Sequence, residues 1–143
     1  MRSANHRIIL DTNLWISLLL SRDFSRYDSL LLGSQSTLLF SEELLAEFLE
    51  VTSRPKLKRY FSESDVNALL SEISKIADFV SVTSNVHGCR DEKDNFLLAL
   101  SLDGKASHLL TGDKDLLDLK KFGETRIMTI GQYFDEYHAK GTS

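Results

Sequence analysis

The chain alternates short, continuous apolar runs with longer amphipathic ones, and that rhythm limits its fold more than any other feature. Short runs at residues 7–10, 37–40, 79–82, 108–111 and 126–129 read as strands. Between and after them, helical patterns run over 14–20, 27–32, 42–52, 63–77, 95–102, 116–119 and 130–138. Strands that alternate with helices predict a parallel sheet, because each parallel return needs a crossover long enough to hold a helix. The strand residues are apolar in unbroken runs, as expected of strands buried on both faces. The whole of 1–143 therefore reads as one α/β domain, with no shift of composition to mark a second.

Local chemistry supports several boundaries. Ser41 precedes the helix at 42–52, Ser62 and Asp65 have capping-box spacing, and Gly104 follows the helix at 95–102. The single proline, Pro55, falls just after a helix, where a chain stop is expected. No apolar run approaches the roughly 20 residues of a membrane span. The apolar stretch in "MRSANHRIIL" is too short for a signal peptide. One cysteine, Cys89, excludes an internal disulfide framework and fits a reducing cytoplasm.

The carboxylates are placed at chemically informative points. Asp11 follows the first strand directly, in "RIILDTNLW", and Asp113 follows the fourth, in "HLLTGDKDLL", separated from Thr111 only by Gly112. In open α/β sheets, ligands bind at the carboxyl ends of the strands, so neighbouring strands would bring these two acids together. Asp91 and Asp94 stand at a helix start, where acids either cap free N–H groups or face a site. Asp11 carries the same two readings, helix cap or ligand. In the helix at 42–52, Leu44, Leu45, Phe48 and Val51 define an apolar arc. Glu47 lies about 40° from Val51 and about 60° from Leu44, on its flank, while Glu43 and Glu50 project further out.

Acids gathered without cysteine or clustered histidine suit a hard cation such as Mg²⁺ or Mn²⁺, which takes oxygen ligands. His6, His87, His108 and His138 are scattered along the chain and read as structural or surface residues, which argues against zinc. There is no GxxxxGK[ST], no GxGxxG after a strand and no GxSxG. The overall charge is −4, from 17 basic and 21 acidic residues, so any nucleic-acid contact needs a local basic patch. "RPKLKRY" supplies one candidate: Arg54, Lys56, Lys58 and Arg59 beside Tyr60, as either an RNA-binding patch or a solvated loop.

Taken in order, strand-DTN, an inward glutamate after strand two, "RDEKDNFLLAL" and "LLTGDKDLL" resemble the PIN-domain ribonuclease family. Within it they are most similar to the branch of toxin components of toxin–antitoxin pairs, over roughly residues 7–130. The resemblance implies a three-layer domain, a central parallel five-stranded sheet with helices on both faces. It implies hydrolysis of RNA by water activated on Mg²⁺ or Mn²⁺, with Asp11, Glu47, Asp94 and Asp113 as catalytic acids and metal ligands. Asp91 and Asp115 are further acids of the same kind, Asp115 also reading as a helix cap. Asn13 and Thr111 would hold the carboxylates in position. An antitoxin protein and a homodimer are the implied protein partners. Two other classes compete: a non-catalytic RNA- or protein-binding module of the same fold, and another Mg²⁺-dependent phosphoryl hydrolase. An aspartyl-intermediate phosphatase wants a second Asp two residues after the first, and Asn13 occupies that place.

Overall fold

The computed structural model describes residues 6–21, 36–60, 62–84 and 94–138. The helix expected at 27–32, Asp91, His87 and Cys89 lie outside these residues. Strands β1 (His6–Leu10), β2 (Ser36–Phe40), β3 (Asp78–Phe79), β4 (His108–Leu110), β5 (Lys121–Phe122) and β6 (Thr125–Met128) form one sheet in the order β3-β2-β1-β4-β6-β5. All neighbours are parallel except β5 and β6. Ile8, Ile9 and Leu10 pair with His108, Leu109 and Leu110, and both apolar runs are buried, which is why neither alternates with polar residues.

The five expected parallel strands are present, and a sixth, antiparallel one is added at the edge. It exists because Gly123, at φ 60°, opens a two-residue hairpin turn between Phe122 and Thr125. A left-handed first turn residue matches the twist of the flanking strands and favours glycine. The third strand is shorter than the expected 79–82. Phe79 already pairs with Phe40, the last residue of β2, so after Val80 N–H donates to Phe40 O at 2.8 Å the partner strand is exhausted; further on, Thr83 and Ser84 N–H donate to the Asp103 carboxylate.

The helices are α1 (Thr12–Ser21), α2 (Glu42–Thr52), α3 (Pro55–Lys58), α4 (Glu63–Ile76), α5 (Asn95–Asp103), α6 (Lys114–Leu117) and α7 (Ile130–Tyr133), the last running on as a wider π-helical turn to His138. Ser41 caps α2 by accepting from Leu44 N–H at 3.1 Å. Ser62 and Asp65 exchange side-chain-to-backbone bonds, the capping box read from their spacing. Pro55 does not stop the chain. It sits in the first turn of α3, where a missing N–H costs nothing. Helix α6 starts two residues before the expected 116–119, because Asp113 accepts from Asp115 N–H at 2.8 Å and fixes the start at Lys114.

From β1 the chain moves outward to β2 and β3, then returns to the other side for β4 and β6. Right-handed crossovers in opposite directions put helices on opposite faces of the sheet. They also make the carboxyl ends of β1 and β4 the point where strand order reverses, the usual ligand crevice of such folds. Trp15 of α1 packs on Phe40 with ring centroids 5.4 Å apart, and Phe48, Leu97 and Leu116 close the core around the same strands.

Candidate functional site

Asp11 follows Leu10 and pairs as if the strand continued, its N–H donating to Leu110 O at 3.0 Å. Its own carbonyl accepts from Leu14 N–H at 2.9 Å and so opens α1. The carboxylate accepts from the backbone N–H groups of Thr12 and Asn13 and from the Thr111 hydroxyl, 2.7 Å from Oδ2. The cap and the site are therefore one arrangement. Asp11 is 6 % exposed. Burial pushes its pKa up; the Thr111 and backbone hydrogen bonds pull against that, and the nearby Asp113 charge adds to the rise.

Thr111 joins the two strand ends. Besides donating to Asp11, its hydroxyl accepts from Asp113 N–H at 3.0 Å. One buried hydroxyl thus sets the position of an acid on each of two neighbouring strands. Gly112, between Thr111 and Asp113, has open space where a Cβ would stand. Asp113, half-buried, caps α6, so Asp115 is the residue whose N–H is capped rather than the cap.

Asp94 is buried at the N-cap position of α5, but its side chain makes no capping hydrogen bond there. Glu47 is half-buried, whereas Glu43 and Glu50 are exposed, as the helical wheel expects. Helix α2, which carries Glu47, packs against both α1 and α5, the helices that begin beside Asp11 and at Asp94. Asn13 supports Asp11 through its backbone N–H, while its side chain is exposed; the expected side-chain role moves to the backbone. Thr12 is a residue that the sequence did not flag: its Oγ1, next to Asp11, is buried with no hydrogen-bond partner among the described residues. Its only signal in the sequence is its place inside "DTN".

Across residues 54–60 the structure separates the basic side chains. Arg54 forms a double hydrogen bond with Glu50, at 2.9 and 2.7 Å. Lys56, Lys58, Arg59 and Tyr60 are exposed on and just after α3, which is a helical turn rather than a loop.

The side chains that meet at the strand ends offer only oxygens: the Asp11 carboxylate, the Thr111 hydroxyl bonded to it, and the Asp113 carboxylate, whose charge reaches Asp11. That set fits Mg²⁺ or Mn²⁺, since Mg²⁺ is commonly held by one or two carboxylates with water in the other positions. Among the described residues, no group of three or more His, Cys, Asp or Glu side chains stands at metal-holding distance.

This is an α/β domain with Asp11 and Asp113 at the strand-order reversal of a mostly parallel sheet. The chain belongs to the PIN-domain family, whose profile matches residues 7–115. Members of that family are generally metal-dependent nucleases. The uncharacterized protein MJ1680 of Methanocaldococcus jannaschii is 28% identical over 123 residues, 84% of this chain and 79% of its own length. The fold is similar to that of VapBC2 from Rickettsia felis, solved bound to a DNA fragment from their promoter. That likeness has a TM-score of 0.57 and 17% identity, and covers 85% of this chain and 96% of the other. No helix among the described residues is long and apolar enough to cross a membrane.

Proposed function

We propose that this protein is a metal-dependent endoribonuclease, the toxin of a toxin–antitoxin pair. The observation that carries this reading is the Asp11–Thr111–Asp113 link across β1 and β4, at the crevice where a PIN domain is expected to work. Asp11 and Asp113 would hold Mg²⁺ or Mn²⁺, with Asp94 and Glu47 completing the acidic set. A cation held there would supply Lewis-acid activation of water and offset charge on the scissile phosphate.

The rest of the work belongs to the chain. Thr111 and the Thr12 and Asn13 amides fix the Asp11 carboxylate, so a cation is met without reorganising the site. Burial and the Asp113 charge leave the Asp11 anion poorly compensated, which is the electrostatic condition that favours a cation. Glu47, half-buried, is the acid assigned to orient the attacking water and take its proton. The toxin role rests on the family resemblance and on the likeness to VapBC2, whose own complex includes promoter DNA.

The test is cleavage of a mixed RNA pool in Mn²⁺ by wild type and by Asp11→Asn, purified in parallel. Wild-type cleavage that is lost in the variant and on chelation supports the reading. Equal cleavage by both proteins refutes the role of Asp11. A wild type that cuts no RNA in any divalent metal refutes the nuclease itself.

A further inference from the structure

From Val51 to Ser62 the chain holds four basic residues and no acid, in a protein whose net charge is −4. Arg54 is engaged by Glu50, which leaves Lys56, Lys58 and Arg59. These three form no ion pair among the described residues. They are carried on a braced turn rather than a loose loop. Pro55 fixes its first dihedral, Leu57 and Lys58 N–H donate to Arg54 O at 2.9 and 2.8 Å, and Leu57 packs on the core. Tyr60 is tied to the same turn, its N–H donating to Leu57 O at 2.9 Å, yet its side chain is 55% exposed. The Arg59 guanidinium lies 5.9 Å from the Tyr60 ring centroid.

Tyr60 thus presents a large ring face to solvent, with the Arg59 guanidinium beside it and two lysines on the same turn. An acidic protein surface could also take up both the charges and the ring, but the ribonuclease reading supplies a nucleic acid as the occupant. A single-stranded nucleic acid satisfies both, because its unstacked bases seek a π-face and its phosphates seek cations.

We propose that α3 with Arg59 and Tyr60 is a subsite for single-stranded RNA, in which Tyr60 stacks a base and Lys56, Lys58 and Arg59 hold the flanking phosphates. The subsite deepens the ribonuclease reading and takes its substrate class from it. It follows directly on α2, the helix that carries Glu47, whose charge reaches Arg54 at the start of the turn.

The experiment is fluorescence anisotropy of a labelled single-stranded RNA of about ten nucleotides, in chelator, so that binding is read without cleavage. Tyr60→Ala should weaken binding by about 5-fold to 100-fold, and Tyr60→Phe should restore it. Changing Lys58 and Arg59 together to Ala should flatten the salt dependence by about 1.4 in the log–log slope, about 0.7 for each cation. Against duplex RNA, whose bases are already stacked, Tyr60→Ala should bind as wild type does. All these side chains are exposed, so unchanged thermal melts confirm that the variants fold.

Wild type that fails to bind the single strand, or variants that bind it unchanged, overturns the subsite. Competition by an acidic peptide with the same Tyr60 dependence would also overturn it, and assign the turn to a protein partner. The two readings fail separately. Tyr60-dependent binding with no cleavage in Mn²⁺ sinks the nuclease, whereas cleavage with Tyr60-independent binding sinks only the subsite.

Discussion

Acidification from about pH 7.5 to about pH 5 should cost this fold about 2 kcal/mol through His108 alone. His108 opens β4 with its ring buried, 4.8 Å from the His6 ring and 4.9 Å from the Tyr133 ring, centroid to centroid. Its Nδ1 is 2.8 Å from Ser107 Oγ, and His6 Nδ1 is 2.6 Å from Tyr133 Oη. Burial lowers the His108 pKa from 6.5 to about 4, helped by the His6 and Arg126 charges and opposed by Glu136. Above the unfolded pKa both states are neutral and the pair costs nothing. As pH falls below it, the unfolded chain takes up a proton that the folded chain refuses, and stability is lost until the folded pKa is passed. The full difference is about 3 kcal/mol, of which about 2 has developed by pH 5. Urea unfolding at both pH values, for wild type and His108→Phe, isolates this contribution, because Phe keeps a ring against His6 and Tyr133 but does not titrate. Wild type should lose about 2 kcal/mol more than the variant on acidification. Equal losses in the two proteins would refute the buried, neutral histidine.

Four further outcomes are expected. In metal-free protein, Asp11→Asn should be at least as stable as wild type, because burial and Asp113 already disfavour the anion; the Mn²⁺-induced rise in Tm should vanish, and a thermal-shift titration checks both. Thr111→Val removes the hydroxyl that stabilises ionised Asp11, so the Asp11 pKa should rise further and the acid limb of the pH–activity profile should move to higher pH; an unmoved limb would show that Thr111 does not govern Asp11. Gly112→Ala meets nothing within 4 Å, so chemical denaturation should show a gain of about 0.4–1 kcal/mol. Gly104→Ala should destabilise, because its Cβ would lie 2.9 Å from Leu100 O and from Leu39 Cδ1.

What the sequence made legible was whatever depends on unbroken apolar runs and on short-range chemistry. The runs ending at Leu10 and Leu110 located β1 and β4, and their hydrophobicity placed Asp11 and Asp113 at one end of the sheet. Helical periodicity separates Glu47 from Glu43 and Glu50, because the apolar arc of α2 fixes which side faces inward. Structure determined by long-range partners was not legible. Nothing near residue 82 announces that the strand stops at Phe79, where its partner β2 ends at Phe40. The two-residue strand β5 has no apolar signature, only the glycine of its turn. His6 and His108 are far apart in the chain and read as unrelated, yet parallel pairing of β1 with β4 brings their rings together.

The same two strands therefore carry a buried ionisable residue at each end, and the two respond to pH with opposite sign. At the amino ends, His108 has its pKa lowered, so its contribution to stability is present above the unfolded value and lost as pH falls. At the carboxyl ends, Asp11 has its pKa raised, so its contribution is present at low pH and lost as pH rises through the folded value. A cation bound at Asp11 would keep that carboxylate ionised and remove the second response while leaving the first. The metal-loaded protein should then lose stability on acidification more steeply than the metal-free protein, and the excess should disappear in Asp11→Asn. Equal pH dependence with and without Mn²⁺ would mean that the ion is not held at Asp11, whatever the protein does to RNA.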